Sequence, residues 1–71
     1  MFVKLDDETI LDMQTGTCYR YREMIDGSEL CITFNGPQRD KFCSNEIADG
    51  LWNWLYKAAL KFETDDWDRQ T

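Results

Sequence analysis

Apolar positions in this chain change their period once. From Phe2 to Phe34 they alternate with polar ones, and from Ser44 onward they recur every three or four residues. The first period is that of a half-buried strand and the second that of an amphipathic helix. The second stretch, Ser44–Phe62, predicts the element on which the rest is organised. At about 100° per residue, Ile47, Ala48, Leu51, Trp52, Trp54, Leu55, Ala58, Ala59 and Phe62 share an arc of roughly 160°. Ser44 is placed to cap the first turn with its hydroxyl. Glu46 near the start and Lys57 and Lys61 near the end suit the macrodipole. Gly50 costs a helix about 1 kcal/mol against alanine. It either admits a close neighbour or is simply tolerated, and tolerance is the plainer account. Trp52, Tyr56 and Leu60 form a second line at i, i+4 and i+8, on the edge of the main face.

The alternating part divides at its turn residues. Phe2–Leu5 predicts a first strand and Asp6-Asp7-Glu8 a polar turn. Thr9–Met13 predicts a second strand and Gln14-Thr15-Gly16 a three-residue loop with Gly16 left-handed. Thr17–Met24 alternates strictly. Asp26-Gly27 is the strongest hairpin signal, a two-residue type I′ turn. Glu29–Phe34 alternates again, Asn35–Gln38 turns, and Arg39–Cys43 gives a short last strand. Those loops pair Val3 with Leu11, Leu11 with Tyr19, Tyr19 with Phe34 and Tyr21 with Ile32. One face then collects Val3, Leu5, Leu11, Met13, Tyr19, Tyr21, Leu30, Ile32 and Phe34, joined by Phe42. The other carries Phe2, Lys4, Ile10, Asp12, Cys18, Arg20, Arg22, Met24, Cys31 and Thr33. The expected fold is α+β: an antiparallel β-meander of four to five strands with one C-terminal α-helix packed across one face. Residues 1–63 form the single domain, and residues 64–71 an acidic tail.

Charge narrows the function. Asp and Glu number 14 against 8 Lys and Arg, a net charge of −6. Direct nucleic-acid binding needs a basic footprint and is not expected. No apolar run approaches the roughly 20 residues of a membrane span. No secretory signal leads the chain, whose start reads as a strand. The expectation is a cytoplasmic protein without membrane contact. Three cysteines, Cys18, Cys31 and Cys43, are an odd set at irregular spacing and do not resemble a disulfide framework. A five-residue loop at Asn35 would set Cys31 opposite Cys43 on the outer face. Two reduced thiols are the simpler account of that pair, and a redox switch the alternative.

Catalytic chemistry has little to stand on. There is no histidine, which removes the commonest general base and metal ligand. The glycines are isolated, and Asp6-Asp7 and Asp65-Asp66 read as solvated pairs. No enzyme activity, cofactor or metal is expected. The function expected is a small acidic, non-enzymatic protein-binding module: a regulator, inhibitor or adaptor, with a phage or mobile element as a candidate source. Its partner-binding residues are Trp52, Tyr56, Leu60, Phe2, Ile10, Arg20 and Arg22. A solvated face with cross-strand charge pairs is the plainer reading of Arg20 and Arg22. The surplus apolar surface predicts a homodimer, or the same surface receiving a different protein. Two alternatives stand beside it. One is a nucleic-acid mimic presenting Asp6, Asp7, Glu8, Asp12, Asp65, Asp66 and Asp68. The other is a thiol-redox or other small enzyme.

Overall fold

A computed structural model describes residues 1–61 of the chain. Its elements are β1 (Phe2–Asp6), β2 (Thr9–Asp12), β3 (Cys18–Met24), β4 (Gly27–Thr33), β5 (Lys41–Ser44), α1 (Asn45–Ala58) and β6 (Leu60–Lys61). They build one six-stranded sheet in the order β5-β4-β3-β2-β1-β6. The first five strands are the expected antiparallel meander, and α1 packs across one face of it. The acidic tail expected over residues 64–71 lies outside the described residues, as does Phe62.

The expected helix end is corrected. Instead of running to Phe62, α1 stops at Ala58, and Ala59 turns to extended backbone while its amide still donates to the Leu55 carbonyl at 2.9 Å. That turn frees Leu60 and Lys61 to pair in parallel with Val3 and Lys4 as a sixth strand. The helix start also differs. Ser44 holds the cap position but its hydroxyl makes no cap bond. Asn45, at φ +53°, makes the sharp turn into α1.

Register explains the remaining corrections. At β3–β4, Met24 pairs with Gly27, so Ile25 and Asp26 form the turn rather than Asp26 and Gly27. Neither Ile25 nor Asp26 has a positive φ, so the turn is not type I′. Gly27 is needed in the strand instead. Its φ is +153°, and a Cβ there would collide with Asn45 Oδ1. The resulting slip is even: Tyr21 pairs with Leu30 and Tyr19 with Ile32. An even slip leaves every side chain on its expected face.

At β2–β3 the slip is odd. Asp12 and Thr17 close the hairpin through Asp12 N–H to the Thr17 carbonyl at 2.8 Å, so the loop holds Met13 to Gly16, one residue more than expected. The cause is the Asp12 carboxylate, which accepts from the Gln14 amide at 3.0 Å and the Thr15 hydroxyl at 2.9 Å. Gly16 does take the left-handed position, at φ +78°. One residue of slip turns β2 over. Ile10 now pairs with Tyr19 and Leu11 with Cys18. The β1–β2 register keeps Val3 opposite Leu11, so β1 turns over with β2.

The helix-facing side of the sheet therefore carries Phe2, Lys4, Ile10, Tyr19, Tyr21, Leu30, Ile32 and Cys43. The core is Ile10, Leu30, Ala48, Trp52, Leu55 and Ala59, with Phe2, Tyr19, Tyr21, Ile32, Cys43 and Leu51 packed against it. Val3 and Leu11 move to the outer face, Leu5 sits unpaired and exposed at an irregularity in the β1–β2 ladder, and Met13 is exposed in its loop. Phe42, expected in the core, is 63% exposed on the outer face beside Cys31. The helix buries a narrower stripe than its sequence offers, leaving Ile47, Trp54 and Ala58 exposed. Gly50 touches nothing: a Cβ there would meet open space.

Candidate functional site

A cleft of about 640 Å³ lies between the β1–β2 turn, the end of β3 and one flank of α1. Its walls combine two kinds of side chain. Asp7 and Glu8 come from the turn, Glu23 from β3 and Asp49 from α1; Tyr21, Trp52 and Tyr56 supply rings. Arg22 and Asn53 complete the lining. Helical spacing accounts for the α1 contribution, because Asp49, Trp52, Asn53 and Tyr56 lie three and four residues apart on one flank.

The rings touch in series, the first pair stacked and the second tilted. Tyr21 lies flat on Trp52, with centroids 5.3 Å apart and planes 9° from parallel. Trp52 meets Tyr56 at 6.0 Å. The Lys4 ammonium sits 3.7 Å from the Tyr56 centroid, a cation–π contact.

Asp49 is held from beneath. The Tyr21 hydroxyl donates to its Oδ1 at 2.6 Å, and the Ser28 hydroxyl donates to the same oxygen at 2.5 Å. Ser28 is buried and is fixed in turn by Asn45, whose Oδ1 accepts from the Ser28 amide at 3.3 Å. These bonds hold the Asp49 carboxyl below the usual aspartate range, Ser28 contributing most and Tyr21 next, against desolvation that works the other way. The Tyr21 phenol is pushed up, chiefly because ionising would cost it the bond to Asp49. Among the described residues no hydrogen bond reaches Asp49 Oδ2 or the carboxylates of Glu8 and Glu23. Serine, aspartate and tyrosine here share one oxygen and hold a helix on a hairpin; an acidified Asp49 is a poor base for activating Ser28.

Of the residues expected to bind a partner, Trp52, Tyr56 and Arg22 line this cleft together, and Leu60, Phe2, Ile10 and Arg20 do not. Trp52 is buried in the core, and Tyr56, 37% exposed, is its neighbour in the cleft. Leu60 leaves their line because it belongs to β6 and not to the helix. Ile10, expected on the outer face, is wholly buried at 0% exposure and offers no surface. Phe2 faces the helix side, edge-on to Tyr19 at 6.1 Å and to Trp54 at 6.0 Å. Arg20 and Arg22 do lie on the outer face, where Arg20 donates to the Thr33 hydroxyl at 3.3 Å and Arg22 pairs across from Glu29. Arg22 also reaches the edge of the cleft.

The expected Cys31–Cys43 juxtaposition is corrected. Cys43 pairs with Leu30 and faces the helix, whereas Cys31 pairs with Phe42 and faces away. All three cysteines are free. Asp12, one of the expected phosphate mimics, is committed to its loop and lies 3.6 Å from the N-terminal ammonium. Asp65, Asp66 and Asp68 lie outside the described residues. Among the described residues no three His, Cys, Asp or Glu side chains are placed to hold a metal ion, and no helix is long and apolar enough to cross a membrane. Sequence reasoning passed over Tyr21, Ser28, Asn45 and Asp49. Asp49 could have been found from its spacing to Trp52, Asn53 and Tyr56; Ser28 and Asn45 carry no signal before the hairpin register is known. No family model, curated protein or solved structure matches this chain.

Proposed function

We propose that this chain is a small acidic, non-enzymatic protein-binding module, a regulator, inhibitor or adaptor, and that the aromatic cleft receives a basic patch of its partner. One observation carries the reading. Four carboxylates from three separate elements converge on a cleft walled by three rings, and Asp49 is already fixed by two hydroxyls of this chain. Groups held in their bound geometry lose little freedom on binding. Tyr56, the exposed ring of the three, supplies contact area, and the carboxylates supply charge complementarity and steering. The three free cysteines fit a reducing, cytoplasmic setting.

Isolation of the tagged chain from cells that express it tests this. A stoichiometric protein partner is expected. It should be lost with Glu8→Lys/Glu23→Lys and weakened by salt. A chain recovered alone would count against the reading.

A nucleic-acid mimic is the second reading, favoured by the convergence of Asp7 and Glu8 with Glu23 and Asp49 on one surface. Competition by DNA for the isolated partner separates the two: a mimic is displaced by DNA, and an ordinary module is not. We further propose self-association through the outer face of the sheet. The paired rows place Leu60, Val3, Leu11 and Cys18 side by side across four strands there.

A further inference from the structure

We infer that the cleft takes an arginine side chain, presented by a basic segment of the partner protein. This rests on the binding-module reading and names its occupant.

The charge of the walls restricts what can enter. Among the described residues Asp7, Glu8, Glu23 and Asp49 share the lining with one cation, Arg22, and the Lys4 ammonium stands beside it over Tyr56. Phosphate or carboxylate groups are repelled there. An apolar side chain would cover carboxylates without giving them a partner, which is costly. A cation is favoured by the carboxylates, while the ring faces are partly taken already, Tyr21 and Trp52 by each other and Tyr56 by Lys4 at 3.7 Å.

Shape and donor count select among cations. At about 640 Å³ the cleft holds far more than an ion. Its acceptors stand on different walls: Asp49 Oδ2 on the helix, Glu23 on β3 and Glu8 on the turn. An ammonium is a compact point charge that keeps its hydration. A guanidinium is planar, more weakly hydrated and carries five donors, so it can lie along rings and reach separate carboxylates at once. Both oxygens of Asp49 then have work, Oδ1 toward Ser28 and Tyr21 and Oδ2 toward the ligand.

The test is a ¹⁵N-correlation NMR titration of the whole chain with three short peptides. They are acetyl-Gly-Arg-Gly-amide, its lysine counterpart and its citrulline counterpart, the last a neutral copy of arginine in nearly the same shape. The arginine peptide is expected to move the amides of Tyr21, Glu23, Asp49 and Asn53 and the indole signal of Trp52. The lysine peptide should bind several-fold more weakly and the citrulline peptide without saturation. Glu8→Gln/Glu23→Gln removes two carboxylates whose side chains make no hydrogen bond among the described residues, so the fold is kept. It should weaken the arginine peptide about fivefold, the effect of losing two exposed charge pairs. Saturable citrulline binding of equal strength would overturn the inference. So would lysine binding as tightly as arginine, shifts centred elsewhere, or indifference to the double variant. A failed titration alongside partner capture that still depends on Glu8 and Glu23 overturns arginine as occupant alone. Recovery of the unaltered chain without any partner overturns the module reading itself.

Discussion

One oxygen of Asp49 takes two hydroxyl protons, and both bonds are strongest while the carboxylate is charged. The folded chain therefore resists protonating Asp49, whose pKa lies below its ordinary 3.8. The sign of the linkage follows. A carboxyl with a depressed folded pKa adds stability above its unfolded value, and that stability is lost as pH falls through the folded value. Asp12 works in the same direction, through the Gln14 amide first and the Thr15 hydroxyl second. Urea midpoints should hold steady from about pH 7 to about pH 5 and fall below about pH 4. Asp49→Asn keeps an acceptor for Ser28 and Tyr21 but removes the charge, so its midpoints should fall less steeply, with the slope from Asp12 remaining. An unchanged slope would show that Asp49 is not coupled to folding.

At the scale of the element, a single residue decides which side of β2 is core. Ile10→Ala should destabilise by about 2–5 kcal/mol, the range for emptying a fully buried aliphatic site. Met13→Ala should stay within about 0.5 kcal/mol, as surface changes do. The opposite ranking in urea denaturation would mean that β2 pairs as its loop residues alone suggest. The two glycines predict the reverse of each other. Gly50→Ala should stabilise α1 by up to about 1 kcal/mol, because its Cβ would meet open space. Gly27→Ala should destabilise, because its Cβ would collide with Asn45 and its φ suits glycine. The period of each segment made the strands, the meander and the helix legible in advance. The face of β3 and β4 was legible too, since an even slip of the hairpin changes no facing. What alternation could not reveal was the loop length before β3. Asp12 draws Met13 into the turn through side-chain bonds, and Leu11 and Ile10 are equally apolar neighbours. The cleft was half legible: helical spacing places Trp52 beside Tyr56. Its other half, Tyr21 and Glu23, depends on which residue of β3 passes beneath α1.

At the scale of the molecule, one helix covers one face of a six-stranded sheet. The other face carries no helix among the described residues, and its register aligns Leu60, Val3, Leu11 and Cys18, of which Val3 is already buried. Leu60 is 57% exposed and stands at the end of that row. A domain of this size buries only about 60% of its unfolded surface, so covering an apolar row stabilises it more than it would a larger fold. The commonest closed arrangement is a twofold pair. Net charge opposes it: each copy carries −6, and two such copies repel at low ionic strength. Salt screens that repulsion while leaving apolar contact intact. The two proposed surfaces therefore answer salt in opposite senses, with self-association strengthening and cleft binding weakening. Sedimentation equilibrium over about a hundredfold range of concentration should show a mass rising from monomer toward dimer, and more so in added salt. Leu60→Glu should hold the chain monomeric by weakening the pair at least about tenfold, or 1.4 kcal/mol. Glu8→Gln/Glu23→Gln should not weaken the pair. A monomer mass that stays constant across the range would remove the dimer, and a dimer indifferent to Leu60→Glu would move its interface off this face.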